Sequence, residues 1–508
     1  MMPRAARTRK KRKSEDIKLF FMRLLSFLTP GATAALGVLV VGIIVLFIPP
    51  YIGIADNGDF FRVFSSNGLY VNQSGYDASQ FGYFVKQFGI YQYFNEQGAA
   101  FISSQSLFIQ LAIFFNKLFF STEVFDVRFL AAVQFSLYIP TVYLLVEGLT
   151  AKLSGARRYV VAVFAVLIFG DTAYLAYFNS FFGEGIMLIA MMLIAASFLL
   201  FYTRRYPDYF LLGLFTVASL LLVTVKQQNS PMALILSVLG ILFVFLTREK
   251  KFRISVVISL VLILVTGVLM YAFIPKTFVT INQYQTMSRG ILLESKEPEQ
   301  ALKDMGMNEQ YALLKGTTYY QKYKMIDPDD PFLEKEFYEE YGFVPVLQFY
   351  LTHPDEFLSL LNLSAKHSFQ IRPNEMGNYE KSVGKPFGEK TQFFTLYSNF
   401  KPNLAPSSIG MIVLLAVALL IGYGRGLLIR FRLQDYRGLL RFDLVLVLIG
   451  TGFAVLLITL VGDGEADLEK HEFLFNVCYD IALLMVLTSL VDYLAKKWQK
   501  RRRTKNGK

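Results

Sequence analysis

Apolar blocks of about twenty residues recur along most of this 508-residue chain, and few architectures can bury so many of them. A helix needs about 20 apolar residues to cross a bilayer core of roughly 30 Å, and only helices and closed barrels satisfy every backbone amide there. The blocks lie near 32–52, 126–149, 159–178, 184–203, 208–226, 230–247, 254–274, 407–424, 442–462 and 473–494. They are too long for strands and show no period-2 alternation. The chain therefore reads as an all-α polytopic membrane protein with about ten transmembrane helices.

The net charge of +12 would suit a nucleic-acid binder if it lay on one soluble face. It does not. Basic residues gather at block ends, as in Arg7–Lys13, Arg248–Arg253 and Lys496–Arg503, where they mark cytoplasmic anchors. No nucleic-acid partner is expected; the lipid bilayer is. With the N-terminus inside, Ala151–Arg158, Thr203–Asp208, Thr247–Arg253, Arg425–Arg441 and the C-terminus all fall inside, each with two or more Arg or Lys residues. The chain is thus expected to be a multi-pass protein of a bacterial cytoplasmic membrane. No cleavable signal is expected, because the first block is long and lacks a small-residue cleavage motif. The single Cys, Cys478, lies in a block and is read as packing.

Phe101–Phe120 is apolar but interrupted by Gln105, Gln110, Asn116 and Lys117. Counting it as a span would reverse every later loop, so an interfacial or re-entrant helix is expected. This gives a basic segment 1–31, a transmembrane module 32–274 that includes a first outer loop 53–125, an outer loop 275–406, helices 407–494 and a basic tail 495–508. The first outer loop reads as short helices lying on the membrane. The second is read as partly folded, with helices near 294–304, 331–341 and 354–369. No internal repeat supports a repeat-built transporter.

This topology brings four polar clusters to the outer face. Asp56-Asn57-Gly58-Asp59 follows the first block, and its Asn-Gly turn would direct both carboxylates into one space. A carboxylate there suits a general base; the plainer reading has Asp59 capping a short helix and pairing with Arg62. Asn179 through Glu184 is a tight turn, and a carboxylate at that depth is either a functional group or a first-turn Glu favoured by the helix dipole. Asp171, about two turns deeper, reads as a structural partner of a neighbouring helix. Lys226-Gln227-Gln228-Asn229 puts one cation and three amides at a helix start, which suits a phosphate, against a plain snorkelling Lys. Gly462 through Glu472 carries Lys470 and His471, candidates for a phosphate or leaving group. Its acidic alternation partly matches a calcium loop, but Leu474 stands where the last carboxylate belongs, so no metal is expected. His353 and His367 have no zinc-site spacing.

An acidic residue soon after the first span, surface helices behind it and polar turns at later span ends resemble the GT-C superfamily of membrane glycosyltransferases. Its members include protein O-mannosyltransferases and the lipid A aminoarabinose transferase. The strings ADNGDFFRVF, FNSFFGEG, VTVKQQNSP and GDGEADLEKHEFLFN further resemble a bacterial branch of hexose transferases of surface-layer glycan biosynthesis. The resemblance implies a GT-C-like helical fold and a polyprenyl-phosphate sugar donor, with no other cofactor. It also implies a cell-surface glycan acceptor and an extracytoplasmic active site. Its catalytic Asp corresponds to Asp59, with Asp56 second; its second acidic position corresponds to Glu184. Its phosphate-contacting basic residues correspond to Lys226, Lys470 and His471. Phe60 follows Asp59, so the paired Asp-Glu of the mannosyltransferase branch is absent, which argues against a protein acceptor.

Overall fold

The computed structural model describes residues 28–93, 102–322, 325–339 and 342–506. The basic run Arg7–Lys13 and the NEQG turn at 95–98 lie outside the described residues, as do Phe101 and the last two positions. Among the described residues, eight helices are long and apolar enough to cross a membrane, or ten if each of two bent pairs is one span. The unbroken spans are Pro30–Phe47, Arg128–Thr150, Glu184–Thr203, Asp208–Val225, Gln227–Phe245, Lys250–Ala272, Tyr436–Asp463 and Phe473–Arg501.

Glu184–Thr203 is the hub. It packs against Arg128–Thr150, Asp208–Val225, Tyr436–Asp463 and Phe473–Asn506, and most of its residues are buried on every side. That requires an apolar surface all round, which Ile, Leu, Met, Ala and Phe supply. Only its first residue, Glu184, is charged, so the most enclosed helix of the bundle begins with a carboxylate.

The two bent pairs break at polar residues. Arg157–Phe169 and Thr172–Asn179 meet at 52°, where Asp171 accepts the amides of Ala173 (2.9 Å) and Ser398 (3.0 Å). Leu396–Leu404 and Ile409–Gly424 meet at 104°. Lys401 in the first of these pairs with Asp480 at 2.7 Å, both side chains at most 2% exposed. Tyr174 and Tyr397 donate to the same carboxylate, and Asn476 accepts from Lys401 at 2.6 Å. An ion pair at that depth survives only when its hydrogen bonds are saturated.

Turns at one end of the bundle are tied by arginines. Arg205 pairs with Glu147 at 2.8 Å, Arg437 with Asp208 at 2.5 Å and Arg157 with Asp492 at 2.6 Å. The four polar clusters lie at the other end.

Gln105–Phe119 has 15 residues, about 22 Å of helix, too short to cross the core. It turns Gln105 and Asn116 inward and leaves Leu107, Leu111, Phe114 and Leu118 exposed, the pattern of a helix lying against lipid.

The first outer loop holds the short helices expected, Phe60–Phe64, Tyr76–Ser79 and Gln105–Phe119 among them, and adds a sheet the sequence did not signal. The sheet is three-stranded and antiparallel in the order β1-β2-β3, formed by Leu69–Tyr70, Gln87–Ile90 and Val124–Asp126. Its register pairs Leu69 with Ile90 and Phe88 with Phe125. Buried Phe88 and Phe125 lean on Phe181, with ring centroids 5.0 and 6.0 Å away. Strands this short carry almost no alternation signal. In the long loop, helices occur at Pro298–Asp304, Pro331–Leu333 with the π-turn Glu334–Tyr338, and Pro354–His367.

Sidedness follows from cysteine labelling in a Cys478→Ala background. Ser382→Cys is exposed and is expected to react with an impermeant maleimide in intact cells, whereas Leu433→Cys, also exposed, should react only after lysis. The reverse pattern would invert the topology. Ser180 is unsuitable as a reporter because it is fully buried and donates to the Tyr177 carbonyl at 2.6 Å.

Candidate functional site

Lys470 joins the first loop to the last inter-span turn. Its side chain is 3% exposed, and its ammonium is ion-paired to Asp59, whose own side chain is 28% exposed. Arg62, one turn along the short helix Phe60–Phe64, reaches the other Asp59 oxygen at 3.2 Å. Burial alone would push the Asp59 carboxyl up, but Lys470 and Arg62, with Lys226 behind them, hold it well below the usual carboxylate range. Burial likewise works against the charged Lys470, and Asp59, Asp467 and Glu184 more than offset it. Lys470 also lies 4.8 Å from the Phe182 ring centroid, a cation–π contact.

Two further bonded groups lie close to this pair. Lys226 binds Glu184 at 2.9 Å, with side-chain exposures of 24% and 1%; the second Glu184 oxygen, Oε2, is buried without a partner among the described residues. Gln228 presents its Oε1 to His471 Nδ1 at 2.9 Å and donates to Thr459 and to the His471 carbonyl. His471 Nε2 lies 3.0 Å from Asp463, which also accepts from Gln285 at 2.7 Å. Asn57 donates to Asp467 at 3.0 Å. Asp59–Lys470, Glu184–Lys226 and Gln228–His471 are thus three bonded groups at one end of the bundle, close enough that Lys226 acts on Asp59, Glu184 on Lys470 and Asp463 on Arg62 through their charges. Gln227 is half-buried beside them.

Other expected site residues are used to hold the backbone. Asp56 is buried and does not share a space with Asp59. Its Oδ1 accepts the amides of Gly58 (2.8 Å) and Phe60 (3.1 Å), and its Oδ2 accepts from Tyr76 at 2.9 Å. Asp56, rather than Asp59, therefore caps the short helix. Burial raises its carboxyl above the ordinary value despite those bonds. Asn179 spends its amide on the Leu46 and Ile52 carbonyls, and Asn229 spends its amide on Leu222 and the Met187 sulfur. All three serve backbone that lacks regular partners.

Several residues at the site come from the long loop. Tyr320 accepts from Arg62 at 2.9 Å, and the Phe278 ring centroid lies 4.8 Å beneath that guanidinium. Arg289, in the π-helix Thr286–Ile291, is ion-paired to Glu465 and donates to Gly316. The chain can pass this close because residue 464 is Gly. Its φ is +63°, and a Cβ there would meet the Arg289–Gly290 backbone at 2.6 Å. On the far side Glu469 accepts the Asn374 amide at 2.9 Å and lies 3.3 Å from His367, which that contact raises above its usual range.

Together the fold and the site define a polytopic helical membrane protein with a cluster of ion-paired polar groups at the end of its bundle. The chain belongs to the family of the YfdI N-terminal transmembrane domain, whose model it matches over residues 11–508. No curated protein and no solved structure matches it.

The Lys470–Asp59 pair predicts a titration. Asp59 has a depressed folded value, so its stabilising contribution is present above the ordinary carboxylate range and is lost only as pH falls below it. Lys470→Met removes the nearest cation, and the Asp59 carboxyl should titrate at higher pH. Difference infrared spectra against Asp59→Asn would follow this carboxylate; an unshifted band would mean that Lys470 does not control it.

Proposed function

We propose that this protein is an inverting glycosyltransferase that moves a hexose-type sugar from a polyprenyl-phosphate donor to a cell-surface glycan. The reaction would occur at the outer face of a bacterial cytoplasmic membrane. The observation that carries this reading is a carboxylate, Asp59, held between two cations, Lys470 and Arg62. Glu184 with Lys226, and His471 with Gln228, lie close beside it. The YfdI-type family's relation to membrane glycosyltransferases supports the same class.

As it stands the Asp59 carboxylate is a weak base, because its neighbours stabilise the ionised form. A donor phosphate changes that. It competes for Lys470 and Arg62 by charge-assisted hydrogen bonds, and as those cations turn to it Asp59 loses its stabilisation and becomes more basic. The acceptor hydroxyl then gives its proton to Asp59 while its oxygen bonds to the anomeric carbon. The bond from that carbon to the phosphate oxygen breaks, and the lipid phosphate leaves on the cations. Glu184 Oε2, without a partner among the described residues, is placed to accept a hydroxyl of the sugar. No metal is required.

A second reading, transport of a lipid-linked glycan, draws on the two broken spans, since transporters place charges at such breaks. Here Asp171, Lys401 and Asp480 are buried and bonded across those breaks, an arrangement that clamps them together.

Kinetics separate the readings. Asp59→Asn keeps the side chain's shape and removes the base, so transfer should fall about 10²–10⁴-fold while donor binding survives. Lys226→Ala should weaken donor binding. Because kcat/KM reports the free enzyme and kcat the complex, the acid limb of kcat should lie at higher pH than that of kcat/KM. Full transfer by Asp59→Asn would remove the proposed base, and transport without any transfer by the parent would favour the second reading.

A further inference from the structure

A cavity of about 600 Å³ lies away from the polar network, between Ile409–Gly424, Tyr436–Asp463 and Phe473–Asn506. Its walls are apolar, with Leu415, Leu448, Phe453 and Leu483 among them. From Phe475 to Ser489, both on its lining, the last helix rises about 21 Å, some two-thirds of the hydrocarbon thickness. Ile409–Gly424 leaves the cavity open to the side: Leu415 and Val486 are 42% and 37% exposed, and a Cβ on Gly422 would meet nothing within 4 Å. Tyr423 and Ser489 bridge the two helices at 3.2 Å at one end.

That end is strongly cationic. Arg425, Arg430 and Arg441 all line it, and none is ion-paired to a carboxylate among the described residues. Arg430 donates to the Gly438 carbonyl. Arg441 donates to Ser489 at 3.2 Å and lies over the rings of Tyr202 and Tyr423. Three other arginines at this end are matched, Arg157 by Asp492, Arg205 by Glu147 and Arg437 by Asp208; what sets Arg425, Arg430 and Arg441 apart is that they line one apolar cavity together. A long apolar slot with three unmatched guanidinium groups at one mouth complements a chain with an anionic head.

We propose that this cavity binds one anionic phospholipid from the leaflet at the arginine end. One acyl chain would lie along the slot, and the phosphate would rest on Arg425, Arg430 and Arg441. A second copy of the chain is a poor occupant, since it would bring the same arginines to the same leaflet. The proposal is independent of the glycosyltransferase reading, because Ser489 lies at the far side of the last helix from Lys470, about 25 Å along its axis.

The test is native mass spectrometry of the full chain, released from vesicles of mixed phosphatidylglycerol and phosphatidylcholine. One phosphatidylglycerol should be retained in preference to phosphatidylcholine. Glycerol phosphate without acyl chains should not compete, which separates a lipid from a free phosphate. The double variant Arg425→Gln/Arg441→Gln should lower the preference roughly 30-fold, at about fivefold per arginine near a charged headgroup. Gly422→Leu/Ala416→Phe keeps every arginine and fills the slot, so it should lose the lipid with unchanged elution and thermal midpoint. Equal retention of the two lipids by the parent chain, which requires no variant, would overturn the proposal. So would an undiminished preference in the double variant, or a dimer abolished by filling the slot.

Discussion

A lysine ammonium 3% exposed at the end of a helical bundle must be met by a negative charge, because leaving it unpaired costs far more than any single packing contact supplies. Here the counter-charge is Asp59, on a different loop 411 residues away in sequence. The rest of the polar end follows from that pairing. Asp59 must lie at the surface of the last turn, so the first loop folds across the bundle, pinned by Asp56 and the small sheet. The last turn must lie under it, so Gly464 admits the Arg289 backbone and Asp467 accepts Asn57. Removing either partner would leave a charge among neighbours arranged for its opposite. Three segments far apart in the chain are thereby made mutually dependent.

The spans were legible because hydrocarbon imposes a length and a composition that few other environments require. The four polar turns were legible because charges at span ends have few places to go. Which polar residue does what was not legible, and Asp56 and Asp59 show why. Both follow the first span, and the turn between them is plain in sequence. Only the partners distinguish them: backbone amides and Tyr76 for one, two cations for the other. Asn179 and Asn229 likewise read as ligand-binding amides, yet their N–H groups go to the Leu46, Ile52 and Leu222 carbonyls and the Met187 sulfur.

Other parts were hidden for different reasons. The sheet is two to four residues per strand, below what alternation can signal. Tyr320, Gln285 and Arg289 come from a loop of ordinary composition; the polar run Asn282–Arg289 just after a span was the one available hint. The two bends were not legible because Asp171 lies inside the apolar block 159–178, which reads as one unbroken span, and Lys401 falls in the loop before the block 407–424. The bends bring Asp171 and Lys401 into the bundle beside Asp480, and the chemistry proposed here uses none of the three.

Charge matching differs between the polar site and the arginine-lined cavity, and the difference bears on what each can bind. At the polar end Lys470, Arg62, Lys226 and Arg289 each face a carboxylate. An anion can bind there only by exchange, displacing an internal carboxylate from its cation. Such binding is selective, since a ligand must offer more than the carboxylate it displaces. It also has a consequence at a distance, because the displaced carboxylate changes its basicity. At the arginine-lined cavity the cations face no carboxylate among the described residues, so an anion adds without displacing one. Binding of that kind is undemanding and constant, suited to a lipid that stays. A substrate that must be recognised, must activate its own base and must then leave is better served by the matched site.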